Sequence, residues 1–509
     1  MRWLIRAAPA LVPATVAPRR YARRIRFWMS DPAMAVVNRS CVDFPHLPEP
    51  QPNPPVKPKK QPYHPLRHSP PMRRTVFGFF WIALYLLVVL APILLMLVPP
   101  VPTGRSFWVE LSVALGFVGL TQIGLQFVLI ARFQPLTYPY GIDVILKYHR
   151  KIAIVATVFV LLHPVLLLVE HPARVALLNP LGGTYASKFG LASVVTLLAI
   201  AVTSVWRERL KINYEAWRWI HTILGILTLV FAQVHVSLAG LYINTLWKQV
   251  LWIASSVGLV GLVAYLRLIK PALQRRRPWR VVGVRQEGGE TVNVDIEAVG
   301  HEGIKFHPGQ FAWIKVGDSP YTMEEHPYSF ASSAEESKRV SFGVKALGDF
   351  SERLQQLEEG TTVYLDGPHG AFSVDRAQAP GYVFIAGGVG ITPMMSFLHT
   401  LADRNDPRPI ILIYSTNQEH ELAYSDEIEA LKERLDLETV FVLDEPPHNW
   451  VAEEGKVTGD LLERRLPKER FTRRFFVCGP PAMMTAVQDA LLEHGVPQRH
   501  IHLEKFALA

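Results

Sequence analysis

The sequence predicts three architectures in succession: a membrane α-helical bundle of six helices, a small antiparallel β-barrel, and an α/β domain built on a parallel sheet. Three observations carry this reading. Apolar segments long enough to cross a bilayer fall at 75–98, 107–131, 148–169, 187–206, 216–239 and 246–269. Short alternating runs such as WRVVGVRQ and TVNVDIEAV follow them, with the period of two expected of half-buried strands. From Gly381 the runs VFIAGG, ILIYST and FFVCGP each precede a helical stretch, the pattern of parallel strands joined by crossover helices. The expected divisions are a basic, proline-rich tail over 1–74, the bundle over 75–270, the barrel over 275–378 and the α/β domain over 381–509.

Composition narrows the class. Of 509 residues, 49% are hydrophobic, and the mean hydropathy is +0.16, too apolar for an ordinary soluble enzyme. The formal charge of +9 does not indicate nucleic acid, because Lys and Arg gather in the tail and beside the hydrophobic segments, as in membrane proteins. Two cysteines, Cys41 and Cys478, make no disulfide framework. In the tail, seven arginines from Arg2 to Arg26 precede the first acidic residue, Asp31. A targeting segment, a basic cytoplasmic tail and an over-long start, with Met34 or Met72 as alternatives, all fit that pattern. The proline-rich run from Pro45 to Pro71 reads as an extended, disordered linker in which His46, His64 and His68 are solvated.

An even number of crossings puts both chain ends on one side. Arg132, Lys147, Arg150, Lys151, Arg207, Arg209, Lys211 and Arg218 follow the second and fourth segments, whereas the opposite loops carry only Arg105, Arg174, Lys188 and Lys248. The tail and the C-terminal half are therefore expected in the cytoplasm, at a plasma (inner) membrane.

Four histidines organise the bundle. His149 and His163 on the third segment, and His221 and His235 on the fifth, share a spacing of fourteen residues. That spacing is about 21 Å along a helix and returns nearly to the same face. The residues between them on that face are small: Ala153, Ala156 and Val160, then Gly225, Thr228 and Ala232. Both segments run the same way, so His149 pairs with His221 and His163 with His235. Small residues leave room for a flat group, and each pair is expected to hold the iron of one haem. Intramembrane ionisable residues point to function by default.

In the soluble half, AGGVGITPMMSF (386–397) follows a strand and opens a helix near Pro393. Gly387, Gly388 and Gly390 are placed to let backbone amides approach a pyrophosphate. Upstream, HPYSFASS (326–333) combines an aromatic with hydroxyls, and VKALGDFS (344–351) offers Gly348 and Ser351 at a helix start. Together with FVCGPPAMM, in this order, these motifs resemble the ferredoxin-reductase-type flavin and nicotinamide module over about 275–506. The resemblance implies an FAD-binding barrel and a Rossmann-like NAD(P) domain. It places Tyr328 against the isoalloxazine and Ser329 on the flavin. His326, in the His326-Pro327-aromatic order of the membrane oxidase branch, stands where many soluble members have a pyrophosphate-binding arginine. Gly348 and Ser351 would bind the FAD pyrophosphate. Gly388, Gly390, Thr392 and Pro393 would hold the nicotinamide nucleotide, with Cys478, Gly479 and Pro480 near its ring. Phe506 resembles the terminal aromatic that covers the flavin.

With the four-histidine block in front, the chain resembles the ferric reductase and NADPH oxidase superfamily over about 75–506. That resemblance implies an NAD(P)H-dependent membrane flavoprotein oxidoreductase. Electrons would pass from cytosolic NADPH through FAD and two haem b groups to an acceptor outside, oxygen giving superoxide. A ferric chelate as acceptor, or a partner protein, remains the alternative. A flavin is needed because hydride carries two electrons and a haem iron takes one. After ILIYST stands Asn417 rather than an acidic residue, and Ser415 and Thr416 have room for a 2′-phosphate, so NADPH is expected over NADH.

Overall fold

A computed structural model describes residues 71–100 and 102–506. The expectations for the tail, Cys41, the two alternative starts and His46, His64 and His68 lie outside the described residues. The described residues fall within one unit, Tyr63–Ala509. Among them, six helical spans are long and apolar enough to cross a membrane, and the chain is an integral membrane protein.

The spans lie in α1 (Pro71–Met96), α2 (Phe107–Ile130), α4 (Ile142–Glu170), α5 (Tyr185–Val205), α6 (Tyr214–Ala239) and α7 (Leu246–Ala264). A short α3 (Gln134–Tyr140) lies between α2 and α4, and α7 runs through a π turn at Tyr265–Ile269 into α8 (Lys270–Arg275). Helix α4 starts six residues before the apolar run, so Lys147, Arg150 and Lys151 sit in its first turns rather than in a loop. Side-chain oxygens stop several ends: Ser106 caps α2, Thr184 caps α5 and Asn213 caps α6, each accepting a backbone N–H. Helix α4 packs along α2 and α6 along α5, while α4 and α6 barely approach one another. The two histidine helices are thus each backed by a partner and face a gap.

An antiparallel sheet follows, with β1 (Trp279–Gly288), β2 (Thr291–Ala298), β3 (Phe311–Val316), β4 (His326–Ser329), β5 (Arg339–Lys345) and β6 (Thr362–His369), and with α9 (Asp349–Gln355) after β5. Its order is β4-β3-β6-β1-β2-β5. The edge strands meet just past β4, where Phe330 bridges to Phe342 and the Ala331 N–H donates to the Ser341 carbonyl at 2.8 Å. The sheet therefore curls back on itself around Phe330, Phe342 and Ile296.

The last part is a parallel sheet of order β10-β9-β8-β7-β11-β12. Its strands are β7 (Tyr382–Gly387), β8 (Ile410–Thr416), β9 (Leu437–Leu443), β10 (Glu453–Glu454), β11 (Arg474–Cys478) and β12 (Ile501–Glu504). Helices α10 (Ile391–Asp403), α11 (Ser425–Leu431), α12 (Gly459–Arg465) and α13 (Pro481–Glu493) cover it. Strands on one side of β7 follow it directly in the chain, and those on the other come last. The strand order reverses between β7 and β11, which opens a crevice at their C-terminal ends, where this class of sheet binds ligands.

Candidate functional site

The four histidines meet in two pairs. His149 and His221 form the near pair, on the side of the antiparallel sheet, and His163 and His235 the far pair. Ring centroids are 6.3 Å apart in both. Two imidazoles bound trans to one metal at about 2.0 Å each place their centroids about 6 Å apart, so both gaps fit one metal ion between two rings. In the far pair, His163 Nδ1 lies 2.9 Å from the Ser112 carbonyl and His235 Nδ1 lies 2.7 Å from the Ala186 carbonyl. A carbonyl only accepts, so each Nδ1 carries the proton and each Nε2 keeps its lone pair for a metal. In the near pair, His221 Nδ1 is 3.2 Å from Ser204 Oγ, which also accepts from Trp217 Nε1. His149 Nδ1 is buried without a partner.

Two glycines press on the far pair from behind. A Cβ on Gly116 of α2 would come within 3.2 Å of the His163 ring, and one on Gly190 of α5 within 2.9 Å of His235 Nδ1. Sequence reasoning missed both, along with Ser112 and Ser204; a glycine inside an apolar helix was the available signal. The far pair opens into a cavity of about 420 Å³, lined mostly by apolar side chains, with Arg105 and Arg174 among them. Leu167 also lines it. Lys248, expected as a loop charge, is buried, its Nζ donating to the Val98 and Pro100 carbonyls.

The small stripes behave differently from expectation. Val160 and Ala232 do line the cavity. Ala156, however, is fully buried among Leu120, Ile123, Leu197 and Leu229, and the Thr228 hydroxyl donates to the Leu224 carbonyl at 2.8 Å and lies 2.9 Å from Thr196 Oγ1. Those positions are small because helices approach closely there, and together they form an apolar plug between the two histidine pairs.

A second cleft, of about 720 Å³, gathers His326, Pro327, Tyr328, Ser329, Gly348, Ser351, Thr392 and Phe506. Strand β4 turns His326 and Tyr328 to one face, where the Phe350 ring lies 4.4 Å from the first and 6.3 Å from the second. Burial, and then Arg218, push the His326 imidazole below its ordinary range. The cations lining this cleft are Lys345, Arg353 and Lys505. Ser351 Oγ accepts from the Leu347 and Gly348 N–H groups and donates to the Gly348 carbonyl, so its hydroxyl shapes the turn. Burial pushes the Tyr328 phenol up, keeping it neutral. The Thr392 hydroxyl is 1% exposed with no partner, an orphaned group of the kind a bound ligand satisfies.

At the crevice between β7 and β11, Gly387 and Gly390 meet Gly479 and Pro480. A Cβ on Gly390 would fall 2.2 Å from the Cys478 carbonyl, and one on Gly387 would fall 2.9 Å from Pro480. These glycines permit two loops to touch. Gly388, at φ +52°, has open space beside it. Pro393 lies in the first turn of α10. Cys478 is wholly buried, and burial pushes its thiol up. Ser415, next to last in β8, pairs with Gly387 of β7. Thr416 Oγ1 donates to the Gln418 carbonyl at 3.0 Å, while Glu421 accepts from the Asn417 N–H and Glu445 from Gln418 Nε2. Two carboxylates thus stand at the tip beyond β8.

A membrane helical bundle joined to flavin- and nicotinamide-type domains defines the class, and comparison with known proteins agrees. Residues 115–232 match the ferric reductase like transmembrane component, 278–373 an FAD-binding domain, and 384–489 an oxidoreductase NAD-binding domain. The chain has the architecture of the ferric reductase and NADPH oxidase superfamily. It is 30% identical over 237 residues to the propane 2-monooxygenase reductase component of Rhodococcus jostii, covering 45% of this chain and 62% of that one. Identity is also 30% over 230 residues to the toluate 1,2-dioxygenase electron transfer component of Pseudomonas putida, covering 45% and 66%. The chain thus spans just under two thirds of these relatives' length. Among solved structures it is similar to the FAD/NAD-binding domain of a Vibrio cholerae nitric oxide dioxygenase, with 25% identity, TM-score 0.41, and coverage of 45% and 98%.

Proposed function

We propose that this chain is an NAD(P)H-dependent oxidoreductase that moves electrons across a membrane, from a nicotinamide through FAD and two haem b groups to an acceptor on the far side. The carrying observation is the pair of 6.3 Å histidine gaps stacked in one bundle, with the Tyr328 cleft beneath the near pair. Bound FAD would supply the conversion of a two-electron hydride into single electrons, and haem iron would carry these one at a time. This chain's residues do the rest. Tyr328 and Phe350 line the flavin space, Gly388 and the first turn of α10 would receive the nucleotide phosphates, and Thr392 would offer its hydroxyl between them. His149 with His221 would hold one haem iron, and His163 with His235 the other, the far pair through Nε2. The cytoplasmic side is that of the soluble domains, at the plasma (inner) membrane.

The acidic tip at Glu421 and Glu445 favours NADH as donor, and kcat/KM for NADH above that for NADPH is the expected outcome of a direct comparison. Oxygen, giving superoxide, is the proposed acceptor, because the cavity at the far pair is mostly apolar and a small apolar molecule enters it readily. Arg105 and Arg174 favour a second reading, an anionic ferric chelate held at the rim. Dismutase-sensitive cytochrome c reduction should account for most of the flux. Faster anaerobic ferric-citrate reduction with no dismutase effect in air would replace oxygen by the chelate.

Phe506, 42% exposed at the edge of the flavin cleft, is the group a nicotinamide ring must displace. Phe506→Ser is expected to tighten NAD(P)⁺ binding roughly fivefold, the worth of one aromatic stack of about 1 kcal/mol, with little change in FAD content. Titration of the oxidised enzyme measures it, and unchanged affinity removes Phe506 from the site.

A further inference from the structure

Where the bundle meets the antiparallel sheet, two carboxylates are buried, Glu325 and Asp366, each 8% exposed. Cations from three separate stretches of the membrane part converge on them. Arg132, after α2, bonds Glu325 and reaches Asp366 at 2.8 Å. Arg218, in the first turns of α6, reaches Glu325 at 3.0 Å and donates to the Met323 carbonyl at 2.6 Å. Lys270, at the start of α8, reaches Asp366 at 2.8 Å, and Lys315 of β3 stands 3.6 Å from Glu325. The Arg132 guanidinium also lies 3.9 Å over the Trp313 ring. Burial alone would raise both carboxyls. Arg132, Lys315 and Arg218 instead hold Glu325 at about 2, while His369, Arg132 and Lys270 hold Asp366 well below the usual range.

The sequence positions of the central pair give this network its meaning. Glu325 stands three residues before Tyr328 in the chain that enters β4, and Arg218 stands three residues before His221 on α6. We propose that Glu325 and Arg218 are positioning residues for electron transfer: their ion pair ties the flavin-facing strand to the helix that carries the near histidine. Asp366, through Arg132 and Lys270, holds the rest of the sheet to the bundle, so the strand cannot pivot about a single contact. A buried, hydrogen-bonded guanidinium–carboxylate contact is directional, and without Arg218 the Glu325 carboxylate keeps Arg132 and Lys315 but loses its tie to α6, the helix that carries His221. The junction would then open at β4 first. Neither residue needs to touch substrate or cofactor for this role.

This inference rests on the proposed haem pathway, and the test separates the two. In stopped-flow experiments on the full-length holoprotein, Arg218→Gln and Glu325→Gln should leave flavin reduction by NADH, FAD content and the haem spectrum as in the native protein. Flavin-to-haem transfer should slow by about ten- to a hundredfold, the scale of an ångström-level misplacement. The double variant should be no slower than the worse single one, and Arg218→Lys should recover most of the rate. Spin labels at Leu181→Cys and Lys338→Cys, in a Cys41→Ser background, give a readout independent of electron flow: their distance distribution should broaden in Arg218→Gln. An unchanged transfer rate in both single variants overturns the proposal. So does a slower rate that tracks lost cofactor, or one that comes with an unchanged distance distribution. A native protein with no haem spectrum fails the pathway itself, and the label distances still report whether the pair fixes the junction.

Discussion

Replacing His149 with alanine is expected to remove the haem nearest the flavin and to reduce NADH-driven haem reduction to background, while flavin reduction continues. His149 is one of two imidazoles 6.3 Å apart, and without it only His221 would remain to hold the metal. The far pair is untouched, since His163 and His235 are held by carbonyls on other helices. Haem per protein should fall by about half. The decisive measurement is the rate at which NADH reduces the haem that remains. Reduction at the native rate would mean that electrons do not pass through the His149 site, and the order of carriers would be reversed or branched.

Gly190→Val should act on the other pair with comparable severity. A Cβ at Gly190 would stand 2.9 Å from His235 Nδ1, which already donates to the Ala186 carbonyl at 2.7 Å. The ring cannot retreat without breaking that bond, and a valine adds two further methyls. Overpacking of this kind typically costs about 1–3 kcal/mol, here concentrated on a ligand. The expected result is loss of the far haem with the near haem intact, hence normal flavin-to-haem transfer and no reduction of an outside acceptor. Gly116→Ala, whose Cβ would meet the His163 ring at the looser distance of 3.2 Å, should weaken the same haem without expelling it. A Gly190→Val protein with both haems present and full acceptor reduction would show that His235 is not constrained from α5.

Much of the architecture was legible because it rests on local periodicity. Six apolar runs need no partner to be recognised as spans, and the change to alternating strands and then to strand–helix units follows from spacing along the chain. The fourteen-residue histidine interval works the same way: within one helix, rise and turn are set by the backbone, so the faces of His149 and His163 follow from their numbers. The departures all arise where a second element intervenes. Ala156 and Thr228 read as room for a flat group, yet each fills a helix contact. Gly387 and Gly390 read as phosphate-facing, yet each lies against the 478–480 loop. The Thr416 hydroxyl donates to the Gln418 carbonyl within a turn that strand spacing does not describe.

What the sequence by itself determined, then, was the order of the parts, the six crossings and the spacing of the four histidines, since these depend on intervals within a single helix or strand. Only the tertiary structure decided which imidazole nitrogen keeps its lone pair, because the carbonyls of Ser112 and Ala186 that settle it come from α2 and α5. It also decided that Gly116 and Gly190 stand behind the ligands, and that Glu325 meets Arg218 across more than a hundred residues. The physical reason is common to all three: a hydrogen bond, a steric contact or an ion pair between distant segments depends on how helices and sheets pack, and packing is a property of pairs of elements that no interval along the chain encodes.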